Sequence, residues 1–343
     1  MSGRSLVRHV HGADHGLLML WSVLPVLLAI SAPAAAVQIY SDSQLGEDRE
    51  RYAQRIEFLL EKGLRPFMTA AERQALEGVV VLHPPRGADP ISINSDIDQG
   101  TMLIYAPVAS IKIVEDLSIA YAWRHQNGYS LEPIDEYLAM LKNRPADDFP
   151  GGELPDPLTA LGVPLKVWES DKQVDDLSLR FRNSAWAFIL AHELGHLRFR
   201  HAETQASAPE IQRQEEEADA FAADLLNRSD TIPMGMILWF QATVGFLPNR
   251  ADYPSDEAYF DWLQTTAQHP VNGHRLKNLA SIMREQAAAA SDRERSEVLE
   301  FIATRLQAMG EIIEDPDMQQ LLRRCAMARD PEMLKRLRDQ PCF

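Results

Sequence analysis

Residues 185–200 read Ala-Trp-Ala-Phe-Ile-Leu-Ala-His-Glu-Leu-Gly-His-Leu-Arg-Phe-Arg, which sets His192 and His196 four positions apart. On a helix that spacing places both rings on one face, about a turn from each other, where two imidazole nitrogens can grip one tetrahedral zinc. Glu193 lies one step round, close enough to reach a water on the metal without taking a ligand position. Leu190, Leu194 and Leu197 fall on the other side and would bury it. The implied chemistry is hydrolysis by a Lewis-acidic metal with a carboxylate base, if a third ligand is at hand.

A third ligand is available downstream. Ser207-Ala-Pro-Glu210 reads as a capping box with proline in the first turn, opening a helix to about residue 227. Ile211, Ala218, Ala222, Leu225 and Leu226 form its apolar stripe. Of the three consecutive acids, helical geometry brings only Glu215 close to that stripe, and a carboxylate there is costly unless it is paired or bound to metal. Glu215 is therefore the expected third ligand, with Glu216 and Glu217 as solvated surface. One turn on, Asp219 is placed to accept a hydrogen bond from the free ring nitrogen of His192 or His196. The metzincin arrangement fails, because Phe199 and Ala202 stand where that pattern needs glycine and histidine. His201 misses its register by one and reads as ordinary.

On these residues the chain resembles the gluzincin metallopeptidases, whose third zinc ligand is a glutamate on a following helix. Two branches fit. The ImmA/IrrE-like peptidases share the His-Glu-Leu-Gly-His run, a short gap and the segment Glu215-Glu-Glu-Ala-Asp-Ala-Phe-Ala-Ala-Asp-Leu-Leu226. The HtpX/CAAX-protease-like peptidases share Glu-x-Glu-Ala-Asp at 215–219 and a later His269-Pro270…Arg275-Leu276. The resemblance covers about residues 184–280. It implies one zinc per chain on His192, His196 and Glu215, Glu193 as general base, and a protein or peptide substrate. It also implies that His269 lies in a loop at the mouth of the site, gating the metal or steadying an intermediate. Developing oxyanion charge needs a donor besides the metal, and His269, His274, Arg275 and Tyr253 are the candidates.

These pieces need elements to hold them. Helices are expected at 47–62, 69–77, 111–126 and 133–142, and short strands at 79–83 and 101–105. Residues 145–164 carry five prolines and three glycines and read as a loop and boundary. A strand is expected at 165–168. Either it or 101–105 would serve as the edge that binds substrate in extended form. Beyond residue 285 the chain turns helical again, with Val298, Phe301, Ile302 and Leu306 at core spacing. The expected class is α+β, mostly helical and zincin-like, with a small mixed sheet and a helical C-terminal tail. The expected divisions are 1–36, 37–150, 151–284 and 285–343.

Composition narrows the partners. Lys and Arg number 34 against 50 Asp and Glu, a net charge of −16, which excludes the basic footprint that nucleic-acid binding requires. Arg4 and Arg8, an apolar run over 17–30 and the small residues 31–36 read as a secretory signal with cleavage expected after Ala36. Left uncleaved, the same segment would associate with a membrane as an anchor. Either outcome places the working part outside the cytoplasm, in the periplasm or secreted, where Cys325 and Cys342 are able to pair. His9, His11 and His15 fall inside this leader and read as incidental. The competing class is a zinc-stabilised binding or chaperone-like module with latent or lost activity. An open coordination position favours the enzyme, and a fourth protein ligand such as His269 favours the module.

Overall fold

The computed structural model describes residues 38–328, except 204–205, 247, 249 and 266–268. The leader, its three histidines and Cys342 lie outside the described residues. Within them the chain runs α1 (Asp42–Phe58), α2 (Ala70–Ala75), β1 (Val80–Leu82), β2 (Asn94–Asp98), β3 (Thr101–Tyr105), α3 (Val108–Gln126) and α4 (Glu132–Asn143). There follow α5 (Pro157–Ala160), α6 (Val167–Ser170), α7 (Lys172–Phe199), α8 (Ala208–Arg228), α9 (Gly235–Phe246) and α10 (Asp256–Thr265). The chain closes with α11 (Gly273–Ala289), α12 (Arg293–Glu314) and α13 (Pro316–Ala328). The fold is mostly helical with one small mixed sheet, as the pattern of the sequence predicts.

The sheet has the order β1-β3-β2, with β1 parallel and β2 antiparallel to β3. Strand 101–105 is therefore central, not the edge it was expected to be. The edge beside the site is β2, Asn-Ser-Asp-Ile-Asp, a strand absent from the sequence pattern because three of its five residues are acids or amides. Ser95 and Ile97 pair across from Ile104 and Met102 on the inner face, whereas Asn94, Asp96 and Asp98 face outward. The expected strand at 165–168 is absent. Lys166 adopts φ 55° there and Val167 N donates to Pro164 O at 3.2 Å, so the chain turns straight into α6 and leaves Leu165 90% exposed.

The longest helix, α7, positions the chemistry. Asp171 caps it, its carboxylate accepting from Gln173 N at 2.9 Å and Val174 N at 3.2 Å. Its stretch 184–195 is buried all round, since α3, α8, α9 and β2 all pack on it. Leu190, Leu194 and Leu197 are buried as expected. Contact with α8 is close because position 195 is glycine: a Cβ there would meet the Ala218 Cα at 2.9 Å. Ser207 precedes α8 without the expected side-chain cap, and Glu210 instead holds Arg213 at 2.6 Å. Helices α11 and α12 form an antiparallel pair, α11 resting on α8. Ile302 and Leu306 of α12 are buried, but Phe301, expected in the core, is 46% exposed. No helix among the described residues is long and apolar enough to cross a membrane.

Candidate metal centre

His192, His196, Glu215 and His269 converge, each offering a ligand atom within 4.8 Å of the others. Nε2 of His192 and Nε2 of His196 are 3.0 Å apart. The Glu215 oxygens stand 3.4 Å from the first and 3.3 Å from the second. Nδ1 of His269 lies 3.5 Å from His192 Nε2 and 3.1 Å from Glu215 Oε1. Ligand atoms bound tetrahedrally at about 2.0–2.1 Å are separated by about 3.3–3.4 Å, so these edges outline one coordination sphere of the size zinc needs. The donor set of imidazoles and a carboxylate also suits that ion. The three ligands read from the sequence come together, and His269 joins them.

The surroundings fix each ligand. Nδ1 of His192 stands 2.9 Å from Asp219 Oδ1, the support expected of Asp219. Burial alone would lower the His192 pKa, but hydrogen bonds to Asp219 and Glu215 outweigh it and push the ring up to about 9 in the metal-free protein. His196 uses a different partner. With its Nε2 turned to the cluster, its Nδ1–H donates to His201 Nδ1 at 2.9 Å, and His201 Nε2 donates to Glu217 Oε2 at 3.2 Å. His201 is thus not ordinary, and Glu217 is not simply solvated: it also holds Arg213 at 2.5 Å. The turn that makes this possible is Arg200 at φ 58°, which closes α7 in the left-handed region and folds His201 back beneath His196. The sequence signal was a histidine directly after the helix end, but nothing local announced the turn.

Arg275 is the other residue whose role sequence reasoning missed. Fully buried on α11, it reaches Glu215 Oε2 at 2.6 Å, both Asp219 oxygens at 2.7 and 2.9 Å, and the Pro270 carbonyl at 3.1 Å. It therefore ties Glu215, the His192 partner and the His269 loop together and has no free edge for an oxyanion. Burial alone would raise Glu215; the Arg275 charge, then those of His269 and His196, hold its carboxyl well below the usual range. His274, a second oxyanion candidate, is 73% exposed in its side chain and bonded to Glu216 at 2.7 Å, away from the cluster. Tyr253 stands in a neighbouring aromatic wall.

Glu193 is 1% exposed, and its Oε2 has no hydrogen-bond partner among the described residues. The Nε2 of His269 is likewise buried without one, and it lies 3.4 Å from Glu193 Oε1. Two polar atoms left unpaired inside a protein are costly unless something else joins them. His83 and His125 are structural, the first bonded to the Ala106 carbonyl at 3.0 Å and the second stacked on Tyr121.

Residues 140–241 match the family model of Peptidase U49. That stretch, under a third of the chain, is similar to a peptidase family and supports a peptidase. The matched segment runs from α4 into α9 and contains His192, Glu193, His196 and Glu215, while His269 and Arg275 lie beyond it. No curated protein and no solved structure matches the chain. Cys325 is 3% exposed and is not a free thiol.

Proposed function

We propose that the protein is a zinc-dependent endopeptidase of gluzincin type, acting on protein or peptide substrates outside the cytoplasm. One observation carries the reading: two histidines of α7 and one glutamate of α8 present their ligand atoms to a common point beside a buried carboxylate, Glu193, with one oxygen free of hydrogen bonds. His192, His196 and Glu215 would hold the ion. Bound there, zinc supplies Lewis acidity toward a carbonyl and lowers the pKa of a coordinated water to about 7. The chain's own residues do the rest. Glu193 takes a proton at its free carboxylate oxygen and returns it to the departing amine. Asp219 and His201 hold the two ring tautomers, and Arg275 keeps Glu215 ionised. The open side of β2 offers backbone groups to an extended substrate. The leader read in residues 1–36 supports an extracytoplasmic setting, and its retention would tether the protein to a membrane.

His269 favours a second state of the same site. Three protein ligands with an open position mark catalytic zinc, and four mark a closed one. With Nδ1 of His269 on the cluster, the peptidase reading requires His269 to withdraw before substrate can reach an open position. Were its place there permanent, the protein would be a zinc-stabilised binding module. The test is Glu193→Gln beside His269→Ala on protein of verified zinc content. The peptidase reading expects Glu193→Gln to keep zinc and lose casein hydrolysis, and His269→Ala to keep zinc and retain or gain activity. Unaltered hydrolysis in Glu193→Gln removes Glu193 as base.

A further inference from the structure

Six consecutive residues, 91–96, border two hollows that share His269. Ile91, Ser92 and Ile93 line a cavity of about 710 Å³ on one side. Asn94, Ser95 and Asp96 line a groove of about 290 Å³ on the other, with His196, His201 and Glu215 along its far wall. Residues 94–96 belong to β2, which among the described residues pairs only with β3 and so keeps one edge for a further strand. A peptide laid along 91–96 at about 3.3 Å per residue would cross the metal ligands midway. Its two halves would then enter different surroundings.

The larger hollow is aromatic. Trp239 and Phe246 of α9, Tyr253 and Trp262 form its walls beside Ile91 and Ile93. Tyr253 and Trp262 stand with ring centroids 5.7 Å apart. Apart from His269 at the metal cluster, the charged groups in the wall are two of each sign: Lys142 is paired to Asp252 at 2.7 Å, Asp89 accepts from Ile91 N at 2.8 Å, and the exposed Arg323 is the second cation. Away from His269 the wall therefore has no net charge to select an acidic or basic side chain. Its size lies within the range of small-molecule and side-chain pockets, and such apolar walls beside a few fixed polar groups are their usual lining. The groove on the other side of His269 is polar, with Asn94, Asp96, His201 and Gln214.

We propose that the aromatic cavity is the specificity subsite of this enzyme, taking a bulky aromatic side chain of the substrate on one side of the scissile bond only. The proposal rests on the peptidase reading and gives it a substrate class. Ring-on-ring contact distinguishes aromatic from aliphatic residues there, because offset and edge-on pairs add to the area buried. The opposite side of the substrate lies along the polar groove and is not selected for aromatic character.

Binding and cleavage separate this claim from the one beneath it. Zinc-loaded Glu193→Gln protein is titrated calorimetrically with end-blocked hexapeptides carrying Phe, Trp, Leu, Ala or Asp at each position in turn. In parallel, wild-type protein is given a mixed peptide library and the cut sites are mapped. The expected result is that Phe and Trp at one position tighten binding by at least about tenfold over Ala. The same residues are enriched on one side of the mapped cuts. Phe246→Ala weakens that preference, and so does Ala88→Trp, which fills the mouth from an exposed loop position and leaves the unfolding temperature and zinc content unchanged. Equal affinity for all five side chains, or a preference untouched by both substitutions, overturns the subsite. Aromatic-selective binding without any cleavage by wild type keeps the subsite and overturns the peptidase reading. Failure of every peptide to bind overturns both.

Discussion

Replacing Gly195 by alanine tests whether the α7–α8 contact sets the metal site. In an exposed helix interior that change stabilises by about 0.8–1 kcal/mol. Here the new methyl would stand 2.9 Å from the Ala218 Cα and 3.3 Å from its carbonyl oxygen and Cβ. Carbon atoms pack best at about 3.5–4.0 Å, so the helices must separate by roughly half an ångström or more. Overpacking of this kind costs about 1–3 kcal/mol, which offsets or exceeds the propensity gain. The larger effect falls on the metal. Glu215 sits three residues before Ala218 on the helix that must move, while His192 and His196 stay on α7. Ligand distances tolerate only about 0.2 Å, so zinc affinity is expected to fall at least tenfold while unfolding stability changes by 2 kcal/mol or less. Urea unfolding of metal-free protein and zinc titration against a competing chelator read the two effects separately. A variant that gains the full propensity stabilisation and binds zinc as wild type would refute the reasoning.

Three further outcomes follow. His201→Ala removes the acceptor from His196 Nδ1 and should weaken zinc binding about 10–100-fold, with Glu217→Gln weaker in effect and His201→Gln partly restoring affinity; chelator competition checks it. Zinc binding at pH 7 should release protons, because the metal-free His192 ring keeps its proton up to about pH 9 and His269 beside Glu193 and Glu215 is raised as well, and the release should fade above about pH 9; calorimetry in buffers of different ionisation enthalpy measures it. Burial raises Asp116 to about 6 against the pull of Lys112 and Tyr40, so the folded form holds a proton that the unfolded chain has lost. Wild-type stability should therefore fall relative to Asp116→Asn as pH rises from about 4 to 6, by on the order of 3 kcal/mol in urea unfolding.

What could be read in advance was whatever is written locally. The spacing of His192 and His196 and the face of Glu215 follow from helical geometry, and α7 and α8 obey it because both are long and strongly patterned. Asp219 was legible for the same reason. What escaped depends on distant contacts. β2 carries three polar residues outward and only Ser95 and Ile97 inward, so its pairing with β3 rather than its own pattern makes it a strand. His201 reaches His196 through a left-handed Arg200, a conformation uncommon for a non-glycine residue and not written in the local sequence. Arg275, read in sequence as a candidate oxyanion donor, proves to be held by two buried carboxylates 56 and 60 residues away in the chain. Phe301 shares the helical register of its neighbours, but α11 covers only the Ile302 side of α12.

The central claim is that one divalent ion is shared by α7 and α8, and metal-stripped protein titrated with zinc tests it most directly. Equilibrium binding should saturate at one ion per chain, and His192→Ala, His196→Ala and Glu215→Ala should each abolish tight binding. X-ray absorption at the zinc edge should show nitrogen and oxygen neighbours at about 2.0–2.1 Å and no sulfur. A protein that takes up no zinc, or one whose uptake is indifferent to all three substitutions, would contradict the account.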